Sequence, residues 1–197
     1  MANPENSMRF AAVVMASGDS VRFANGNKLL SSFHGKPLIK HTLDALPRVL
    51  FSDIVVVTRD QDIASLAAHQ GFDCILHDLP NVSDTIRLGL DDVKEADGCM
   101  FFVSDQPYLS TASITAIVDA AKADPSKIYR AAYGERVGNP VLFPKALYQE
   151  LLTLDQDQQG GAVIKRHAEL VSLVDVPDSK ELDDIDTEDD YAKLARL

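Results

Sequence analysis

Residues 10–15, Phe-Ala-Ala-Val-Val-Met, form an unbroken apolar run ended by small polar residues. A short apolar run of this kind, rich in valine, reads as a strand buried on both faces. Similar runs recur down the chain, separated by longer stretches in which apolar positions return at helical spacing. The alternation predicts strands at 11–15, 54–58, 73–76 and 99–103, with helices at 37–46, 62–70 and 83–93 between them. Pro37 suits a first helical turn, where a missing N–H is harmless, and Ser83 suits a cap. Beyond residue 103 the pattern predicts a helix at 111–123, an extended pair at 128–133 and 141–143, and a helix at 145–152. A helix at 161–167, a strand at 171–174 and a last helix at 187–197 complete it. Strands alternating with helices imply an α/β fold on a mostly parallel sheet. No Pro/Gly/Ser-rich linker interrupts the 197 residues, so one domain, 1–197, is expected.

Charge narrows the function classes. The formal net charge is −11, which opposes the counterion displacement that broad nucleic-acid binding needs. An anionic ligand must therefore be gripped locally. Cys74 and Cys99 are isolated beside apolar runs and read as reduced core residues without metal-ligand spacing. Residues 1–9 lack the apolar stretch of a signal peptide, and no run reaches membrane-spanning length. A cytoplasmic protein without nucleic-acid or membrane partners is expected.

In parallel sheets, ligands bind beyond the carboxyl ends of strands, and three of the loops there hold polar clusters. After the first come Ala16, Ser17, Gly18, Asp19, Ser20 and Arg22, with Lys28 following. Small residues let backbone N–H groups approach an anion, and Arg22 and Lys28 add positive charge. The spacing is neither the phosphate-binding motif ending in Gly-Lys-Ser/Thr nor the dinucleotide Gly-x-Gly-x-x-Gly pattern. Ser104-Asp105-Gln106-Pro107 follows the fourth strand, where the Asp105 carboxylate is placed to hold a hard divalent cation such as Mg²⁺. The acidic stretch 181–190 supplies a further carboxylate from Asp184 or Asp186, which lie two apart in extended chain and so share a side. Glu188 and Asp189 fit the N-terminal turn of the last helix. Gly138-Asn139-Pro140 reads as a turn into a strand or as a shaper of an acceptor pocket. None of the five histidines shows zinc spacing, Ser17 and Ser20 have no identifiable base, and no Gly-x-Ser-x-Gly elbow exists.

In this order the clusters resemble the nucleotidyltransferases that include molybdenum cofactor cytidylyltransferase and molybdopterin guanylyltransferase. Residues 15–23 are similar to the family's Leu-Ala-Ala-Gly-x-Ser-x-Arg-Met/Phe loop, and Lys28-Leu29-Leu30 and Gly35-Lys36-Pro37-Leu38 to its next two elements. Residues 104–107 resemble Gly-Asp-Gln-Pro, and residues 184–191 resemble Asp-Ile-Asp-Thr-Pro-Glu-Asp-Tyr. The resemblance implies a Rossmann-like three-layer fold of glycosyltransferase-A type, mostly parallel with an antiparallel strand. It implies attack of an acceptor phosphate oxygen on the α-phosphorus of an NTP with Mg²⁺ assistance, releasing pyrophosphate.

In that scheme Arg22 and Lys28 grip the triphosphate, Asp105 with Asp184 or Asp186 holds metal, and Gly138, Asn139 and Pro140 face the acceptor. Lys36 reads as structural. The expected substrates are CTP and a molybdopterin-type acceptor, with transient contact to a molybdenum hydroxylase. Ser17 mildly favours a pyrimidine, and Thr85 is similar to a serine that contacts cytosine in related cytidylyltransferases. GTP as donor, a sugar or polyol phosphate as acceptor, and a non-catalytic molybdopterin chaperone are the alternatives. Asn25-Gly26 lengthens the first loop and shifts Lys28 relative to Arg22, and Gln158 or a neighbour stands where relatives carry a carboxylate near the acceptor.

Overall fold

The strand β1 (Phe10–Ala16) runs through the centre of a seven-stranded sheet. The computed structural model describes residues 8–18 and 26–194; Asp19, Ser20 and Arg22 lie outside the described residues. β1 is flanked in parallel by β4 (Asp53–Thr58) and β6 (Gly98–Val103), and β5 (Asp73–Leu76) joins in parallel beyond β4. On the other side β8 (Arg136–Pro144) is antiparallel to both β6 and β7 (Ile128–Tyr133), and β9 (Val171–Asp175) is parallel to β7. The order is thus β5-β4-β1-β6-β8-β7-β9, mostly parallel with one reversed strand. A small antiparallel hairpin, β2 (Ser32–Phe33) and β3 (Lys36–Pro37), stands apart.

Alternation along β1 divides the core. Ala12, Val14 and Ala16 pack with α1 (Leu38–Ala45), α2 (Gln61–His69) and α4 (Thr111–Ala123), whereas Ala11 and Val13 pack with α3 (Val82–Asp92), α5 (Tyr148–Leu152) and α6 (Gly160–Arg166). Helices on both faces explain why the strands read as continuous apolar runs rather than alternating ones. Gly89 sets the spacing of α3: an added Cβ would meet Val13 Cγ1 at 2.5 Å. The glycine lets that helix lie directly on β1 and β4.

The predicted α/β architecture is observed, with corrections at element ends. Pro37 lies in β3 and α1 begins at Leu38, because the hairpin holds Pro37 extended. Ser83 is a buried residue inside α3; the cap is Asn81, whose backbone N–H donates to the Asp84 carboxylate at 3.3 Å. Gly138-Asn139-Pro140 is not a turn but the interior of β8, which is longer than expected; the reversal is at Gly134. Residues 145–152 divide into a 3-10 turn, Lys145–Leu147, and α5. The last helix, α7 (Glu188–Leu194), begins after a cap in which Thr187 Oγ1 accepts from Asp190 N at 3.1 Å while the Asp190 carboxylate accepts from Thr187 N at 2.9 Å. Glu181, inside the acidic stretch, is buried and accepts from the N–H of Ser110, the α4 cap, at 2.9 Å. Its charge sits where the helix dipole favours it.

Candidate active site

A cavity of about 570 Å³ opens at the carboxyl ends of β1, β4 and β6. Ser17 and Gly18 form one wall, with Lys28, Ser104, Asp105 and Asp186 below and Arg59, Pro80, Asn81, Val82 and Thr85 opposite; Gln159 closes one end. The loops after β1, β4, β5 and β6 meet here because parallel strands all deliver their following loops to one edge, and Gln159 and Asp186 join them from later in the chain.

Lys28 sits at the centre. Its ammonium donates to Asp105 Oδ2 at 2.7 Å, to the Ile185 carbonyl at 2.7 Å and to Asp186 Oδ1 at 3.1 Å. The lysine and Asp105 side chains are only 12% and 19% exposed, so this ion pair is screened less than a surface pair. Burial pulls the lysine pKa down, but Asp105 and Asp186 together more than offset it, and the pKa lies above the ordinary value. The lengthened loop therefore does not withdraw Lys28. Asn27 anchors it, accepting from Leu29 N at 3.0 Å and donating to Asp60 at 2.9 Å.

The two candidate carboxylates separate. Asp186 turns to Lys28, whereas Asp184 is hydrogen-bonded to the buried side chain of Gln106. Burial first, and the neighbouring Asp105 charge second, push the Asp184 carboxyl up to about 6. A peptide hydrogen bond, Ile185 N to Asp105 O at 3.0 Å, ties this segment to the β6 loop. Asp105 Oδ1 is buried and accepts no hydrogen bond from the described residues. An orphaned carboxylate oxygen beside a cation shared with Asp186 suits a hard divalent ion, given oxygen ligands from substrate. Among the described residues no group of three His, Cys, Asp or Glu gathers as a metal site.

The first loop is braced from behind. Arg59 donates to the Ser17 carbonyl from Nε at 3.0 Å and Nη2 at 2.8 Å. Leu79 N donates to His77 Nδ1 at 3.2 Å, so the neutral ring carries its proton on Nε2. That proton is donated to Ser17 Oγ at 2.9 Å, and the Ser17 hydroxyl donates to Val57 O at 3.1 Å. His77 is therefore a donor to Ser17 and not its base, which removes serine-nucleophile chemistry even though a histidine does lie beside the serine. Burial, then the Arg59 charge, hold the His77 pKa below its ordinary value.

Of the expected residues, Ala16, Ser17, Gly18, Lys28, Asp105, Asp186 and Thr85 stand at or beside the cavity. Thr85 Oγ1 is buried without a hydrogen-bond partner among the described residues, so the capping bond open to a threonine early in a helix is not made. Asn139 borders the adjoining cavity of about 250 Å³, together with Gln159 rather than Gln158. Lys36 pairs with Asp44, away from the cavity. Sequence reasoning gave no site role to Arg59, His77, Gln106 or Gln159. The β4 loop holding Arg59 was open to the same strand-end search that found the others; His77 and Gln159 carry no local signal.

Residues 12–171 match the family described as MobA-like NTP transferase domain. Among curated proteins, the bifunctional protein GlmU of Sinorhizobium fredii is 30% identical over 118 residues, 53% of this chain but only 25% of that protein, so the chain spans a fraction of that relative's length. The crystal structure of Rv0371c from Mycobacterium tuberculosis H37Rv superposes with a TM-score of 0.84 at 25% identity, covering 96% of this chain and 100% of that one. A structure of Rv0371c in complex with manganese gives 0.78 at 25% identity, covering 96% and 99%. A nucleotidyl transferase from Methanothermobacter thermautotroptrophicus gives 0.82 at 21% identity, over 95% and 96% of the two chains. No helix among the described residues is long and apolar enough to cross a membrane. With residues 12–171 matched and the loops after its parallel strands assembled around one cavity, the chain belongs to the MobA-like NTP transferase domain family, a family of nucleotidyltransferase domains.

Proposed function

We propose that this nucleotidyltransferase is a Mg²⁺-dependent cytidylyltransferase that moves CMP from CTP to the phosphate of a molybdopterin-type acceptor. The observation that carries the reading is the Lys28 ammonium held between Asp105 and Asp186 on the floor of the cavity, facing the Ser17-Gly18 loop. A cation and two carboxylates facing a small-residue loop fit a metal-bound triphosphate better than any neutral ligand.

In the proposed step an acceptor phosphate oxygen attacks the α-phosphorus of CTP. The new P–O bond forms as the bond to the bridging oxygen breaks, and pyrophosphate leaves with that electron pair. The nucleophile is already anionic, so no general base is needed. Rate enhancement then comes from positioning and charge neutralisation. Lys28 and Arg22 hold phosphate oxygens, the loop from Ala16 through Ser20 offers its N–H groups, and Asp105 with Asp186 is the pair suited to the divalent ion. When bound, that ion neutralises charge on the phosphates. Asp184, sequestered by Gln106, acts as support. The manganese complex of Rv0371c supports a divalent-metal requirement. The unpartnered Thr85 hydroxyl in the cavity wall supports a base with a hydrogen-bonding edge at that position; the choice of CTP rests on the resemblance of Thr85 and Ser17 to the cytidylyltransferase pattern.

The test is pyrophosphate release from purified protein with Mg²⁺, molybdopterin and CTP, GTP, ATP or UTP in turn. Release with CTP is expected. Release with GTP alone overturns the base assignment, release only with a sugar or polyol phosphate overturns the acceptor, and no release with any pair overturns the enzyme reading.

A further inference from the structure

The smaller cavity, about 250 Å³, adjoins the first and shares Met15, Val82, Val103 and Gln159 with it. Its walls are mostly apolar, and among the described residues its lining includes no aspartate or glutamate. One charged group faces it, Arg130 on β7. Ile128 belongs to the core face covered by α3, α5 and α6, while Tyr129 and Ala131 belong to the other. Strand alternation therefore puts Arg130 on an inward-facing position, opposite Val141 in the β8 register.

A guanidinium in such a position is expected to have a carboxylate beside it. The chain has 30 Asp and Glu against 19 Lys and Arg, yet Arg130 makes no ion pair or hydrogen bond among the described residues, and its Nε is buried without a partner. Burial depresses its pKa, but arginine stays charged in proteins. A partly buried cation whose Nε is buried and which has no counter-ion among the described residues is costly to folding. The cavity is below the roughly 300–1,000 Å³ usual for whole drug-sized ligands, so it suits one part of a substrate whose remainder lies in the larger cavity.

We infer that this cavity is the anchor subsite of the acceptor, in which Arg130 pairs with an anionic group other than the phosphate that attacks, carried on a compact apolar body. The inference rests on the nucleotidyl-transfer reading for the word acceptor, and on Arg130 alone for the anion. The subsite selects acceptors: one that presents a neutral, polar end leaves the guanidinium unpaired, and one that presents an anion neutralises it with two parallel N–H···O bonds.

The experiment compares the wild-type chain with Arg130→Met and Arg130→Lys, using benzoate, phenyl phosphate and neutral benzamide as probes in calorimetric titrations, with CTP affinity measured separately. Benzoate or phenyl phosphate should bind the wild type at least 10-fold more tightly than benzamide does. Arg130→Met should lose that preference, Arg130→Lys should keep part of it, and CTP binding should be unchanged in both. Which of the two probes binds more tightly identifies the anion as carboxylate-like or phosphate-like. In turnover, Arg130→Met should raise KM for molybdopterin by about 10- to 100-fold with little change in KM for CTP, and its Tm should equal or exceed that of the wild type. Equal binding of benzamide, a changed CTP affinity or a lowered Tm would overturn the inference, the last because it makes Arg130 structural. Probe binding without any nucleotidyl transfer would retain the anion site and remove the enzymatic reading; transfer with an unaltered acceptor KM would do the reverse.

Discussion

The two adjoining cavities treat charge in opposite ways. In the larger, each described cationic side chain is already held by protein: Lys28 by Asp105, Asp186 and a carbonyl, and Arg59 by the Ser17 carbonyl. In the smaller, Arg130 has no such partner among the described residues. A site whose charges satisfy one another keeps its shape without ligand, but binding there means exchanging partners. On the proposed reading, phosphates take Lys28 from the carboxylates, and the freed carboxylates need a new cation. A divalent ion arriving with the triphosphate supplies it, so metal and nucleotide should bind together. The smaller cavity needs no exchange, and its selectivity follows from what the ligand brings.

Breaking the exchange in the larger cavity should have the largest effect. Asp105→Asn keeps the side-chain volume and removes the charge that both holds Lys28 and suits the metal. Turnover should fall by roughly 10³-fold, the scale of losing a main electrostatic contact in a transition state. The circular dichroism spectrum should stay native. Unaltered pyrophosphate release from this variant would show that the Lys28 cluster is structural.

Thr85→Val tests the opposite wall. The substitution is nearly isosteric and deletes a hydroxyl that has no partner among the described residues. Folding stability should hold or rise, because an unsatisfied buried hydroxyl is removed. KM for CTP should rise by about 10-fold, the worth of one hydrogen bond of roughly 1.4 kcal/mol. Loss of stability with unchanged KM would place the hydroxyl outside base recognition.

The contrast between the cavities also marks what sequence could reveal. β1, β6 and their loops were legible because a buried strand ending in small or acidic residues is a local pattern, and Lys28 and Asp105 came with it. The acidic stretch was legible as a source of a carboxylate from Asp184 or Asp186, but not as to which. Nothing local distinguishes Asp186, which meets Lys28, from Asp184, which meets Gln106, or from Glu181, which is buried under the α4 cap. Those roles depend on contacts across more than 70 residues of chain. Arg130 was illegible for the same reason: an arginine inside an apolar strand reads as an edge or solvent position until the sheet order puts helices over it. Gly138-Asn139-Pro140 misled in the other direction, since turn-type residues inside β8 obey the ladder formed with β6 and β7.

Asp184 does not line the larger cavity; it borders a neighbouring pocket with Asp186 and stands outside the exchange, and pH exposes it. Its folded pKa is raised from 3.8 to about 6, chiefly by burial. For a raised carboxyl the folded state favours the protonated form. The stability it contributes is present below about pH 4 and is lost as pH rises through 6. Asp184→Asn retains an acceptor for Gln106 and does not titrate. The variant should melt a few degrees above wild type at pH 8, and the two should converge near pH 4. It should also keep far more activity than Asp186→Asn; the reverse ranking would exchange the roles of the two residues.

The smallest effect is expected at His77, where the sign reverses. Its pKa lies below the ordinary 6.5, first through burial and then through Arg59, so the fold favours the neutral ring. The contribution of that ring is present above about pH 6.5 and is lost as pH falls, when the unfolded chain takes up the proton first. Protonation also turns Nδ1 into a donor facing the Leu79 N–H that now donates to it. His77→Gln can still donate to Ser17 but cannot titrate. Its stability should match wild type within about 1 kcal/mol at pH 8 and decline less between pH 7 and 5, a difference that isolates His77 from His41, whose pKa is also lowered, chiefly by burial. A parallel decline in both proteins would mean that the Ser17 brace is insensitive to this proton, and that the loop is held by the Arg59 contact to the Ser17 carbonyl alone.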